Sequence, residues 1–449
     1  MMIVRTVLVL ISLISATALY SQQKRSSSKK PQMIYGDACY ADAVVLPHSD
    51  NDSAYVDVLL RCNMASLVFS KVNSYTENRG NYYAALNLSI EARDAIGVVR
   101  QRVRYSDTVF MAAYENLADS TSYHYGSVRL ALASGSYTIA IDESSGSANM
   151  FQKIILPKVN IPKGTQTNGG QISCTFATAI SKEYDTLVPI VFNGQLRFPV
   201  ERIAILATVP RQEFATYDVW IRQQPYQDDD IRWWSGVTIR TSAAVSGVQI
   251  KPLNTTTYVV DTSVINSRTL VIPILGNELV PGRYLLTIVA DGKRDTLRYP
   301  FTVQWESMPY ALRSLSYALE VLAYICPEET LDSLQSGDDA LQRESLMDWW
   351  RKQDRSYGTA HNERMTEYYR RVDRASYDYA TLKEQDGAFT DRGKVYILYG
   401  APTKVERKSD KTGQAIETWI YNNSVKTLFV FNADKSGSYK LITVQPLKK

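Results

Sequence analysis

Histidine is almost missing from this chain: His48, His124 and His361 are the only three in 449 residues, and they lie far apart. A Ser-His-Asp triad or a His-based metal site needs imidazoles that converge with their partners, so neither chemistry is expected. There is no G-x-S-x-G, no H-E-x-x-H and no phosphate-binding glycine loop. Cysteine is scarce as well. Cys39, Cys62, Cys174 and Cys326 never fall at C-x-x-C spacing, which argues against zinc and thioredoxin-like redox sites. In an oxidising compartment Cys39 and Cys62, which share a predicted domain, are the favoured disulfide pair; buried free thiols are the alternative. Charge of one sign is lacking too. With Lys+Arg 50 against Asp+Glu 46 the net charge is +4, and no basic block offers a face to nucleic acid. No cofactor, metal ligand set or catalytic residue is implied by any of these patterns.

What the chain has in abundance is tyrosine, 30 against 11 phenylalanines. Tyrosine suits half-exposed strands, where the ring packs and the hydroxyl stays wet, and it equally suits an aromatic binding surface. Composition is otherwise globular, and the length suggests about three domains. The first residues read as an export signal. Arg5 supplies the positive start, Thr6 to Ile14 the apolar core, and Ala16-Thr17-Ala18 a cleavage site, with a second cut after Ser21. The apolar run is too short to span a bilayer, no cysteine marks a lipidation site, and no later stretch is apolar enough to cross. The expectation is therefore a signal peptide over 1–21, a polar tether over 22–34, and a mature chain that is periplasmic, secreted or associated with the outer membrane, without a transmembrane segment.

From about Tyr35 the pattern is β. In Tyr82 to Glu91, residues Ala84, Leu86, Leu88 and Ile90 share one face and Asn87, Ser89 and Glu91 the other, as a strand with one dry side requires. An internal repeat, L-x-x-G-x-Y-x-(I/L)-x-I, occurs at Leu132–Ile141 and again at Leu279–Ile288. A further strand follows each copy, Phe151 to Leu156 and Thr296 to Trp305. This resembles the closing strands of immunoglobulin-like and fibronectin-like sandwiches. Two tandem all-β sandwiches are expected, over 35–158 and 168–305, with Asn160 to Gly170 as a linker. Beside Asp228-Asp229-Asp230, read as a solvated acidic turn and not a calcium loop, Trp233 and Trp234 face opposite ways on a strand, so only one can join a given sugar-binding patch.

After Trp305 the period changes. Leu312, Leu315, Leu319 and Leu322 recur at helical spacing, a second helix is expected over Asp338 to Gln353, and a third over Asn362 to Leu382. The third buries Met365, Tyr368, Tyr369, Val372, Ala375 and Tyr379. Strands are expected at Val395 to Tyr399, Glu417 to Tyr421, Thr427 to Phe431 and Tyr439 to Val444. An α+β domain, helices followed by a small antiparallel sheet, thus occupies 307–449.

This last region carries Trp349-Trp350, Asn362-Glu363, Tyr368-Tyr369-Arg370, Gly387-Ala388-Phe389-Thr390-Asp391-Arg392-Gly393, Val395 to Pro402, Glu406 and Trp419-Ile420-Tyr421. Together these residues resemble the GWxTD domain of exported bacterial proteins. The resemblance supplies no activity, since none is established for that family. Ala388 stands where the family has its tryptophan, and Phe389 follows, as though the aromatic had moved to the other side of an extended segment. Read physically, Thr390 to Gly393 is a turn feeding a buried strand: Asp391 accepts N–H bonds from the residues after it, Gly393 takes a positive φ, and Arg392 forks onto Glu406 or Glu417. The motif of interest is therefore Gly387, Phe389, Thr390, Asp391, Arg392, Gly393, Glu406 and Trp419. The favoured function is a non-catalytic interaction or scaffold protein of the cell envelope with a partner-binding C-terminal domain. Two alternatives stand beside it: a hydrolase of glycan or cell-wall material using an Asp391–Glu406 carboxylate pair, and a glycan binder using exposed tyrosines.

Overall fold

The computed structural model describes residues 39–447 except 49, 51, 73–79, 114–121, 144–152, 165–171, 211–215, 226–237, 245–246, 265–266, 291–295, 355–360, 410, 412, 424–425 and 436. The export signal, the tether, Asp228 to Asp230 and Trp233-Trp234 lie outside the described residues. Among those described, one compact unit comprises 39–306 with His361, and the other comprises 307–354 and 362–447.

Among the described residues the first unit is built of β-strands with two short 3-10 turns, Met64–Ser66 and Gly276–Glu278, and it holds two modules. The first module has strands β1 (Cys39–Pro47), β2 (Ser53–Asn63), β3 (Ser70–Lys71), β4 (Tyr82–Arg93), β5 (Val99–Met111), β6 (Tyr123–Ala133), β7 (Gly135–Glu143), β8 (Ile154–Ile155) and β9 (Val159–Ile161). One sheet runs β1-β2-β6; the other runs β3-β4-β7-β8, with β5 added to β4 and β9 to β7. Period two decides the core. Ala84, Leu86, Leu88, Ile90 and Ala92 of β4 face Ala54, Val56, Val58 and Leu60 of β2, and all are buried. Cys39 and Cys62 are direct cross-strand partners in the β1–β2 ladder and form a disulfide, while Cys174 and Cys326 are free and buried. Asn160 and Ile161, expected as the start of the linker, are instead buried strand: β9 ladders onto β7, and the Asn160 N–H donates to Ser173 Oγ at 2.6 Å.

The second module contains β10 (Ser173–Ala179), β11 (Thr186–Pro189), β12 (Leu196–Arg197), β13 (Arg202–Thr208), β14 (Tyr217–Gln223), β15 (Thr238–Ala244), β16 (Gln249–Pro252), β17 (Tyr258–Asp261), β18 (Thr269–Leu275), β19 (Gly282–Ala290) and β20 (Thr296–Gln304). Its sheets are β16-β17-β11-β10-β13-β18 and β12-β20-β19-β14-β15. The sequence repeat has one structural counterpart in each module. Tyr137 donates its hydroxyl to Ala133 O at 3.0 Å and Tyr284 to Val280 O at 2.9 Å, four residues back in both cases. Each hydroxyl pins the chain entering its strand, which lets the ring be buried without stranding a polar atom.

Strands β1 and β2 are dry on both faces because their outer side meets the second module. Asp42, Asp57 and Arg61, which alternate with the core residues, are all buried there. Asp42 accepts from the N–H groups of Phe192 (2.5 Å) and Gly194 (2.7 Å). Asp57 holds Arg129 at 2.6 and 2.9 Å and accepts from the Tyr258 hydroxyl at 3.0 Å. Arg61 is bound by both oxygens of Glu306, at 2.6 and 3.4 Å. Asp57 and Arg61 thus keep their charges buried by pairing with opposite ones.

The second unit starts with a 3-10 turn at Tyr310–Arg313, followed by α1 (Leu315–Leu322), α2 (Glu328–Leu334), α3 (Asp339–Gln353), α4 (Glu363–Asp378) and α5 (Asp391–Tyr399). The meander β21 (Lys404–Ser409), β22 (Ala415–Tyr421), β23 (Thr427–Ala433) and β24 (Tyr439–Pro446) completes it. Side-chain caps start the helices: Ser314 for α1, Asp338 for α3, Asn362 for α4 and Thr390 for α5. Helix α4 is the hub. Tyr368 and Tyr369 donate to Val321 O and Ala318 O of α1, Trp350 of α3 packs on both rings, and Asp373 accepts from the N–H groups of Tyr310 and Ala311 at 2.7 Å each. Burial pushes the Asp373 carboxyl up to about 6 against the pull of those two bonds.

Val395 to Tyr399, expected as a strand, is helix. Two principles compete in this segment. Val395 and Ile397 alternate as a strand would, but Thr390 accepts the Gly393 N–H at 3.0 Å, and this cap commits the following residues to α5. Helix α2 was not expected at all, since its burial rests on Leu334 alone.

Candidate functional site

The motif of interest is the junction of α4, α5 and the meander. Asp386 opens a 3-10 turn over Gly387–Phe389 by accepting the Ala388 N–H at 3.0 Å, and Thr390 closes it by donating its hydroxyl to Gly387 O at 2.8 Å. Two α1-side tyrosines hold this turn from outside: Tyr317 donates to Asp386 at 2.8 Å and Tyr324 to Ala388 O at 2.9 Å. The segment is thus a tight turn and not an extended one. Ala388 is fully buried at the family tryptophan position, and Phe389 is half-buried with its ring edge-on to Tyr317, 6.1 Å between centroids.

The glycines are spacers. A Cβ on Gly393 would stand 1.8 Å from Gly387 O, and one on Gly387 would stand 2.2 Å from Ala375 O in α4. Gly393 therefore has an ordinary helical backbone and no positive φ. Its role is to let α5 touch the motif turn.

Asp391 does not bond the residues after it. It heads α5 and accepts the Leu441 N–H of β24 at 2.8 Å, with Lys440 Nζ at 4.0 Å from its other oxygen. Arg392 turns to Glu417, 3.6 Å away, and lies over the Tyr439 ring at 4.0 Å and the Tyr379 ring at 5.4 Å. Glu417 is buried on β22. It accepts from Trp419 Nε1 at 2.6 Å and from Arg407 Nε at 3.2 Å, so one carboxylate joins the motif helix, the edge strand β21 and the largest ring of the sheet. Trp419 is buried against Phe431 and Tyr379.

Glu406 sits apart from this group. It lies on β21 between Lys404 (2.8 Å) and Lys408 (3.5 Å), and the Lys404 ammonium holds its carboxyl below the usual range. It is on the opposite sheet face from Glu417, because Glu406 pairs with Thr418 and Arg407 with Glu417. Asp391 and Glu406 thus have different partners on different elements. Among the described residues no three His, Cys, Asp or Glu side chains gather as a metal site, and no helix is long and apolar enough to cross a membrane. The histidines remain dispersed: His48 stacks near Tyr55, His124 meets Asp107 at 3.0 Å, and His361 packs on Trp305 and Phe198.

Comparison with protein families matches residues 283–446 to the model of the GWxTD domain. The chain carries a GWxTD domain. The match takes in β19 and β20 of the first unit together with nearly all of the second, so it starts upstream of residue 307, where periodicity placed the domain. No curated protein matches the chain. In the GWxTD signature, then, the threonine caps a helix, the aspartate binds a strand and the glycines make room. The residues that anchor these from elsewhere, Asp386, Tyr317, Tyr324 and Tyr439, escaped sequence reasoning because their partners lie far along the chain. Only the D-G pair at Asp386-Gly387 gave a local turn signal.

Proposed function

We propose that this is an exported cell-envelope protein in which the β-modules are spacers and interaction surfaces and the GWxTD domain is a non-catalytic, partner-binding head. The observation that carries this reading is how the motif's polar atoms are used. Thr390, Asp391, Arg392, Glu417 and Trp419 bond to backbone or to one another, with Arg407 added on Glu417. A group that moves a proton on a substrate must be within reach of that substrate, and of these carboxylates Glu417 is buried while Asp391, 35% exposed, is engaged by the Leu441 N–H. The meander offers a surface for a partner. Its inner face buries Trp419, Tyr421, Phe429 and Phe431, while Ile416, Ile420, Leu428 and Val430 on the opposite face are only half-buried. Lys404 and Lys408 flank that face on β21. The paired tyrosine bonds after each repeat glycine favour an immunoglobulin-like reading of both modules.

The test is cross-linking and co-purification of the full chain from native envelope fractions, alongside Ile420→Glu and Val430→Glu variants. Loss of a specific partner in either variant, with unchanged α-helical signal, supports the reading. A chain confined to the cytoplasm, or glycan turnover abolished by Asp391→Asn in a fully folded protein, refutes it in favour of the hydrolase.

A further inference from the structure

Where the two β-modules meet lies a half-open cavity of about 300 Å³. Its lining includes Leu59 of β2 from the first module and, from the second, Val188 of β11 and Ile190 just beyond it. The Tyr125 ring of β6 stands half-exposed at its side. Two arginines are among its lining residues, Arg61 and Arg197.

The charge balance at these arginines is uneven. Among the described residues Glu306 is the carboxylate that both of them approach, and Arg61 takes it in a two-point grip at 2.6 and 3.4 Å. The Tyr123 hydroxyl donates to the same carboxylate at 3.4 Å. Arg197 approaches it no closer than 3.8 Å, and its side chain is 43% exposed. Nε of Arg61 is buried and has no acceptor among the described residues. The other acids of the interface are turned elsewhere: Asp42 to the Phe192 and Gly194 N–H groups, Asp57 to Arg129 and Tyr258. Among the described residues the two guanidinium groups thus share one carboxylate, and the half-exposed Arg197 is the more loosely held of the two. That residue is held on β12, which ladders with β20 at Gln304.

We infer that this cavity binds a small carboxylate with an aliphatic body, its anion on Arg197 and its chain against Leu59, Val188 and Ile190. Apolar walls with one or two directed polar groups are the usual make-up of a small-ligand site, and this volume is at the small end of such sites. A guanidinium matches a carboxylate with two parallel N–H bonds, which an amide of equal shape cannot reproduce. The carboxylate can come from a free aliphatic acid or from a peptide C-terminus.

Calorimetric titration of the full chain decides the matter, using hexanoate, hexanamide, N-acetyl-alanyl-valine and its C-terminal amide. Saturable binding of a carboxylate, at least about tenfold tighter than its amide, is expected, and Arg197→Gln should remove that preference. A tighter acetyl-dipeptide assigns the source to peptide ends; a tighter hexanoate assigns it to free acids. Arg197 is half-exposed, so the variant retains the fold, and unchanged hydrogen exchange in β20 verifies this. No saturable binding up to about 10 mM, equal affinity for acid and amide, or an unaffected Arg197→Gln protein overturns the inference. None of these outcomes bears on the proposed partner-binding head.

Discussion

Replacing Asp391 tests the reading of the GWxTD motif as a clasp. Its carboxylate makes a charge-assisted bond to the Leu441 N–H at 2.8 Å and sits in the first turn of α5. Such a bond contributes about 1.5–3 kcal/mol, and a negative charge at a helix start about 0.3–1 kcal/mol. The Lys440 contact, at 4.0 Å to an exposed ammonium, adds little. Because the Asp391 side chain is 35% exposed, water recovers part of the loss, and Asp391→Ala should cost about 2 kcal/mol in local stability. That corresponds to about a thirtyfold rise in the opening of β24. Asp391→Asn keeps an oxygen acceptor but no charge, so about 1 kcal/mol, or fivefold, is expected. Amide hydrogen exchange on the full chain is the suitable assay, since a chain of two units has no single unfolding free energy. Leu441 and the α5 peptides should lose protection in the order Ala, Asn, wild type, while β1 to β20 stay unchanged. If Leu441 exchanges at the wild-type rate in Asp391→Ala, the clasp is not carried by this bond.

Gly393→Ala should destabilise the second unit by about 3 kcal/mol or more, read as lost protection in α4 and α5, because the new methyl falls 1.8 Å from Gly387 O. Glu417→Gln leaves Arg392 beside two rings without its counter-charge; about 3 kcal/mol of destabilisation and a red-shifted Trp419 emission are expected. Burial pushes the Asp42 carboxyl up to about 7, over the lowering influence of the Phe192 and Gly194 N–H bonds and Arg61. The folded chain therefore holds a proton that the unfolded chain has released, so the first unit should lose up to about 4 kcal/mol of stability as pH rises from 4 to 7. Asp42→Asn should flatten that slope in pH-dependent melting. Reducing the Cys39–Cys62 bridge, which closes a 23-residue separation, should lower stability by about 3 kcal/mol in the entropic account, seen as faster exchange in β1.

Much of the architecture was legible because burial is periodic. The alternation in β4 and the i, i+4 apolar stripe of α4 each name their own buried face, and the strands and helix follow those assignments. The L-x-x-G-x-Y repeat found a structural basis in two tyrosine hydroxyls bonded four residues back. What could not be read was anything decided by distant partners. Asp42, Asp57 and Arg61 alternate along β1 and β2 as solvent-facing residues would, yet they are buried, because a second module covers that face. The α5 segment misled for the opposite reason. Val395 to Tyr399 has strand-like residues, and a single hydroxyl at Thr390 outweighs them locally. The spacing of Asp391 and Glu406 carried no information about their separation. Glu406 follows β21 to the face away from Glu417, while Asp391 stays with α5.

The loss of the signature tryptophan can be understood from which atoms do the holding. At position 388 the bonds to Asp386 and Tyr324 are made by the peptide N–H and C=O, not by the side chain. Any residue that fits the space preserves them. Thr390, Asp391, Gly387 and Gly393 have no such freedom, since the hydroxyl, the carboxylate and the two missing Cβ atoms each make or permit a specific contact. An aromatic at this place would contribute packing against α1, and Phe389 together with Tyr317 already supplies rings there. Packing of that kind is exchangeable between neighbouring positions, whereas a helix cap or a close backbone approach is fixed to one residue. The motif therefore behaves as a set of backbone requirements, with the aromatic as its replaceable part.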